Sequence, residues 1–185
     1  AAVIAVMSMV TISSAETFEY KDKSEYVTVP VTNDEGNITS YLYCGGYQMN
    51  GNETEYTSVT LTGNNVTTSE DVVNPKSYGS ALYMNDEDKW TIATGKEGKV
   101  TISNNELSAA KFAYGGAVSV TGEASLTFGT NAEITLDWNK VTVTGSGAYG
   151  AALSVNGRSQ VTISTGGKKD GGTVSLSNNK ASADG

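Results

Sequence analysis

The chain has 185 residues, no histidine, one arginine (Arg158), one cysteine (Cys44) and a net charge of −8. The lack of histidine excludes Ser-His-Asp and Cys-His catalysis and the usual zinc sites, and a single cysteine excludes an internal disulfide. No basic cluster exceeds Lys168-Lys169, which argues against a nucleic-acid partner and leaves the acidic balance as a solubility feature.

Residues 1–10 are almost wholly apolar and run into Thr11-Ile-Ser-Ser-Ala15 and the polar Glu16-Thr17. Ser13 and Ala15 fit the small-x-small pattern of a signal-peptidase site. The apolar run is short of the roughly 20 residues that span a membrane. Residues 1–15 are therefore predicted to be a signal-peptide remnant without its basic start. The competing reading is a buried first element that caps the fold.

Residues 16–58 are irregular and are predicted to form an N-terminal cap with a degenerate first repeat. Val27-Thr-Val29 would begin that repeat. Tyr43-Cys-Gly-Gly-Tyr-Gln-Met49 aligns with Tyr78-Gly-Ser-Ala-Leu-Tyr-Met84, placing Cys44 at the first glycine and Gly46 at the alanine. Cys44 reads as a small buried hydrophobe.

Residues 59–185 repeat two phrases. Val59-Thr-Leu-Thr-Gly-Asn64 returns as Val100-Thr-Ile-Ser-Asn-Asn105, Ile134-Thr-Leu-Asp-Trp-Asn139 and Val174-Ser-Leu-Ser-Asn-Asn179, with starts 41, 34 and 40 residues apart. Between them lie Tyr78-Gly-Ser-Ala-Leu82, Tyr114-Gly-Gly-Ala-Val118 and Tyr149-Gly-Ala-Ala-Leu153. Such a period means a stacked array, here with repeats at 59–99, 100–133, 134–173 and a partial 174–185. Each repeat alternates apolar and polar residues in three stretches: the Val100/Ile102 type, the Val118/Val120 type and the Leu126/Phe128 type. Period 2 puts each pair on one face of a strand. No stretch holds a 3.6-residue apolar period, so crossover helices are not expected. The fold class is all-β, a parallel β-helix (β-solenoid), truncated at its C-terminal end because the last repeat stops 6 residues after Asn179. One large coil per repeat and two small ones fit the spacing equally. A β-propeller is the competing architecture and would need four strands per blade.

Val118, Val120, Ile102, Leu136 and Phe128 are predicted to face inward. Asn64, Asn105, Asn139 and Asn179 follow the inward pair and suit a tight corner, because Asn tolerates left-handed backbone and bonds to nearby peptide groups. Gly79, Ala81, Gly115, Gly116, Ala117, Val118, Gly150 and Ala152 occupy the small-residue phrase, where a Cβ would obstruct the backbone. Both sets read as structural. Tyr78, Tyr114 and Tyr149 either pack beside the glycine turn or form an exposed aromatic ladder able to meet sugars. Asp86-Glu87-Asp88 is the one tight acidic cluster and reads as a solvated loop. Arg158 follows an Asn-Gly turn and reads as exposed. Neither is expected to recur at matching positions on neighbouring coils. Asn37, Asn52 and Asn65 sit in N-x-Ser/Thr sequons, which matter only in a eukaryotic secretory pathway.

The alternation of these phrases resembles the polymorphic outer-membrane proteins first described in chlamydiae. Gly115-Gly-Ala-Val118 matches their GGA(I/L/V) motif. Gly79-Ser-Ala-Leu82 and Gly150-Ala-Ala-Leu153 are relaxed copies. Their FxxN motif is met as Leu61-x-x-Asn64, Ile102-x-x-Asn105, Leu136-x-x-Asn139 and Leu176-x-x-Asn179, with an aliphatic residue in place of Phe. The resemblance covers about residues 43–185. It implies a right-handed β-helical passenger, exported by an autotransporter route and displayed at the cell surface or secreted. It implies an adhesin-like role toward a host cell, matrix or glycan, with a C-terminal membrane anchor beyond residue 185. No cofactor, metal or catalytic residue is expected. The alternatives are a carbohydrate-active β-helix enzyme using clustered carboxylates and a purely structural surface coat.

Overall fold

The computed structural model describes residues 17–48, 56–68, 75–93, 97–129, 131–164 and 171–184. The signal-peptide reading of residues 1–15, the sequon at Asn52 and Gly185 lie outside them. Every regular element among the described residues is a strand. The first turn of chain contains β1 (Thr17–Lys21), β2 (Tyr26–Thr32), β3 (Ile38–Gly45) and β4 (Tyr47–Gln48). The next contains β5 (Ser58–Thr62), β6 (Asn65–Thr67), β7 (Lys76–Tyr78), β8 (Leu82–Met84) and β9 (Lys89–Ile92). The third contains β10 (Lys99–Ser103), β11 (Glu106–Ala109), β12 (Phe112–Tyr114), β13 (Val118–Val120) and β14 (Ser125–Phe128). The fourth contains β15 (Glu133–Asp137), β16 (Lys140–Val143), β17 (Gly147–Tyr149), β18 (Leu153–Val155) and β19 (Gln160–Ile163), and β20 (Thr173–Ser177) and β21 (Lys180–Ala183) begin another.

Equivalent strands stack into five sheets, in the orders β1-β5-β10-β15-β20, β21-β16-β11-β6, β17-β12-β7-β3-β2, β18-β13-β8-β4 and β19-β14-β9. We number these sheets one to five. Strands of neighbouring coils pair in parallel, with Val59 opposite Val100 and Val100 opposite Ile134. The fold is thus an all-β parallel solenoid. The pairing also settles what spacing left open: each repeat is one large coil. Propeller blades are antiparallel, so that architecture is ruled out.

A complete coil has five strands, two more than the three alternating stretches of the sequence. The additional ones lie in sheets two and three. Their inward positions hold small residues such as Ala109, Ala113 and Ala148 beside a few Val and Leu, which weakens the period-2 signal. Sheets one, four and five enclose the larger core, which includes Leu61, Leu82, Trp90, Ile102, Val120, Phe128 and Leu136. Sheets two and three enclose a smaller one around Val66, Leu107, Ala113 and Val141. Val118, Val120, Ile102, Leu136 and Phe128 all face inward and are buried. Each such side chain contributes roughly 1.5–3 kcal/mol.

The N-terminal region departs from the expected alignment. Val27-Thr-Val29 lies in β2, which pairs antiparallel with β3 as a hairpin and leaves both valines exposed. It is not a coil strand. The missed coil strand is β1, where Phe18 and Tyr20 stack on Val59 and Leu61. Their rings join Tyr47, Tyr56 and Trp90 in an aromatic cluster at this end of the core. Cys44 stands opposite Tyr78, so it fills the tyrosine position and not the first glycine position. Gly46 does hold the alanine position, because the Tyr47 N–H bonds to the Ala81 carbonyl as Leu82 bonds to Ala117. The turn between β3 and β4 is one residue shorter than its successors, which produces the offset.

Candidate functional site

The two repeat-motif sets take different places in the coil. The asparagines form one continuous column at the corner after sheet one, buried at Asn64, Asn105 and Asn139 and half-buried at Asn179. Asn105 Nδ2 donates to Asn139 Oδ1 at 2.9 Å and to the Leu61 carbonyl at 3.0 Å. Its Oδ1 accepts from the backbone N–H and Nδ2 of Asn64 at 3.1 and 2.9 Å. Asn139 repeats the pattern with Asn179. Below, the Lys23 N–H donates to Asn64 Oδ1 at 3.1 Å. The column closes the backbone bonds of a corner that is buried at Asn64, Asn105 and Asn139.

The small-residue phrase makes the corner between sheets three and four. Gly79, Gly115 and Gly150 have φ of 53°, 74° and 64°, a region that glycine enters without strain. A Cβ on Gly116 would collide with the Ala151 carbonyl of the next coil. Ala81, Ala117 and Ala152 are buried, and the Ala117 and Ala152 carbonyls accept from Leu82 and Val118.

This sharp corner turns the outer faces of two sheets toward each other. On sheet three, Cys44, Tyr78, Tyr114 and Tyr149 stand in one rank. On sheet four, Gln48, Tyr83, Ser119 and Ser154 stand in another. The tyrosines of the first rank stack, Tyr78 on Tyr114 at 5.1 Å and 16°, and Tyr114 on Tyr149 at 5.0 Å and 9°. Tyr83 leans on Tyr78 from across the corner, centroids 5.5 Å apart. The ladder therefore forms, and it also packs beside the glycine turn. Its exposure rises along the stack, from 8% at Tyr78 to 48% at Tyr149.

Burial sets the chemistry of this groove. It pushes the Tyr78 hydroxyl up to about 12, with the charges that Tyr114 and Cys44 would carry adding to the effect. It pushes the Cys44 thiol up to about 11, against the pull of its hydrogen bond with Tyr83. Tyr83 is raised too, by burial first and by Cys44 next, and Tyr114 by burial and then Tyr149. At neutral pH these groups stay protonated. They offer hydrogen bonds and ring faces, not nucleophiles. At the exposed end, Tyr114, Tyr149, Ser154, Val155 and Asn156 line an open hollow of about 440 Å³. The hollow sets an aromatic wall beside a hydroxyl and an amide at its rim. Sequence reasoning found the tyrosines and missed Ser154 and Asn156. Ser154 is the outward member of the Leu153/Val155 pair, so the alternation itself marks it.

The acidic trio lies in the turn between β8 and β9, and the Asp88 carboxylate accepts from the Asn85 N–H at 2.9 Å. The strand registers place Glu87, Glu123 and Arg158 at the same turn position on successive coils. One acid of the trio thus recurs as Glu123, while the trio as a whole and Arg158 do not repeat on these coils. Arg158 is exposed and bonds to Glu123 at 3.0 Å, so the rank is a surface ion pair with Glu87 beside it. Among the described residues, no three His, Cys, Asp or Glu side chains converge on a possible metal position.

No family model, no curated protein and no solved structure matches the chain.

Proposed function

We propose that the chain is a surface-displayed or secreted adhesin-like scaffold, which holds a host cell, matrix or glycan surface without transforming it. The stacked tyrosine groove carries this reading. Its rings and protonated hydroxyls are fixed by the coil and widen into a hollow of the size and polarity that suit recognition. The alternating small-residue and x-x-Asn phrases supply the rigid frame, and their resemblance to the polymorphic outer-membrane proteins supports the same role.

The test is retention of the purified protein on cultured cells and on matrix-coated plates, beside Tyr149→Ala. Saturable retention, weakened about tenfold in the variant with the ligand recovered unaltered, is the expected result. Absence of retention on every surface would overturn the reading. So would release of unsaturated sugar ends that disappears in Asp86→Asn or Asp88→Asn protein.

A further inference from the structure

A second column runs beside the buried asparagines, one residue earlier in each coil. Asp22, Gly63, Asn104, Trp138 and Asn178 all take left-handed backbone there, with φ of 53°, 71°, 55°, 52° and 54°. Four of the five are residue types that this region accepts readily. Tryptophan is not one of them. A bulky side chain at positive φ is strained, and burial is the usual compensation. Trp138 lacks that compensation, since it is 61% exposed, against 2% for Trp90, the other tryptophan. Packing explains neither its position nor its backbone.

Its surroundings are polar and ordered. The carboxylate of neighbouring Asp137 accepts from Ser177 Oγ at 2.8 Å and from Asn178 Nδ2 at 2.9 Å. Asn104 and Asn178 flank Trp138 in the column and are exposed. An exposed indole that follows a carboxylate in the chain and stands between two amides in its column offers a stacking surface for the apolar face of a pyranose, with polar groups nearby for its hydroxyls. The Asp137 carboxylate and the net charge of −8 oppose an acidic glycan.

We propose that Trp138 is the platform of a binding site for neutral saccharides, completed by Asp137, Asn104 and Asn178. This deepens the surface-binding reading and rests on it. The site lies at the corner between sheets one and two, away from the tyrosine groove between sheets three and four.

The experiment is native electrophoresis in gels containing mannan, xylan or laminarin, with heparin and polygalacturonate as acidic controls. It compares the wild type, Trp138→Asn and Tyr149→Ala. Trp138→Asn restores the residue type that the neighbouring coils carry, so the fold is retained, and a thermal melt verifies this. The expected result is retardation in at least one neutral gel, weakened about tenfold in Trp138→Asn and preserved in Tyr149→Ala. The same polysaccharide should protect the wild type's tryptophan emission from acrylamide, because only Trp138 is open to the quencher. Three results would overturn the proposal: no retardation in any neutral gel, equal retardation of Trp138→Asn, or retardation by the acidic polymers alone. Wild-type protein that holds cells and matrix while Trp138→Asn does so equally loses this site only. Wild-type protein that holds no surface at all loses the broader reading.

Discussion

Two columns of residues climb the same corner of the solenoid, one position apart, and they have diverged differently. The inner one is Asn64, Asn105, Asn139 and Asn179, a single residue type throughout. The outer one is Asp22, Gly63, Asn104, Trp138 and Asn178, which share a backbone conformation and little else. The inner side chains complete hydrogen bonds for the backbone of the corner, and Asn64, Asn105 and Asn139 each bond to the next coil. Shape and both polar ends are then fixed together. The outer positions are constrained in φ alone, so the side chain is free to face solvent and vary. The one place where that freedom is used against the backbone preference is Trp138. Identity is held where a side chain completes the fold, and departure from local preference marks where something else is at stake.

The largest effect should come from the interior. Val120 is fully buried and stacks between Met84 and Val155. Val120→Asp places a carboxylate in that apolar layer, and an unpaired buried charge costs several kcal/mol. That is comparable with the whole stability of a typical domain, about 5–15 kcal/mol. The cooperative thermal transition seen by circular dichroism should be lost, and an unchanged melt would refute the inward assignment.

The two columns can be set against each other directly. Asn105→Ala strips the side-chain partner from the Asn64 N–H and the Leu61 carbonyl, while Asn64 Nδ2 keeps the Tyr20 carbonyl and Asn139 Oδ1 keeps the backbone N–H of residue 105. Each unsatisfied buried group costs about 1–3 kcal/mol, so two of them with partial relaxation leave a net loss of about 2–4 kcal/mol. Asn104→Ala, one residue away and exposed, should cost only the left-handed penalty of alanine, about 1–2 kcal/mol. Urea midpoints of the two variants measure the difference. Equal losses would mean that the inner column is not held by its hydrogen bonds.

The groove between sheets three and four gives the next effect. Tyr78 ionises near its ordinary 10 when unfolded and near 12 when folded. Between those values the folded chain holds the proton that the unfolded chain has lost, so stability falls as pH rises. It is complete below pH 10 and declines by about 1.4 kcal/mol per pH unit up to pH 12. Cys44, raised from 9 to about 11, adds a similar loss that starts about one unit lower. Urea midpoints at pH 8, 10 and 12 should fall steadily, and Tyr78→Phe should flatten the upper part of the decline. A midpoint independent of pH across this range would show that the groove is open to water.

The residues of these columns also show what a linear reading can recover. The asparagines and the small-residue phrase were legible because stacking forces the same solution on every coil, and sequence repetition records it. The Val118, Leu126 and Val100 strands were legible because their inward side chains are large. Sheet three was not, because Ala113, Ala148 and Ser77 face a narrow interior and carry little alternation, and sheet two was not, because its inward positions change from Val66 alone to Leu107/Ala109 to Val141/Val143 and so repeat no phrase. The position of Cys44 was misread because a one-residue shortening of the turn leaves the tyrosines of the phrase aligned by letter but not in space. Trp138 stood in plain view within the repeated phrase. Its meaning depends on the sign of φ, which becomes visible only when the coils are superposed.

The smallest effect is also the most telling about the outer column. Trp138→Asn replaces a strained, exposed indole with the residue type found at Asn104 and Asn178 above and below it. Strain at such a position is worth about 1–3 kcal/mol, and asparagine at the same φ retains part of it. The variant should therefore be more stable than the wild type by about 1 kcal/mol, read as a higher urea midpoint with an unchanged slope. An exposed surface substitution usually stays within about 0.5 kcal/mol and rarely stabilises, so a gain of this size would identify the tryptophan as a residue kept at the expense of the fold. A loss would mean that the indole packs to stabilise the corner, and the outer column would then follow the same rule as the inner one.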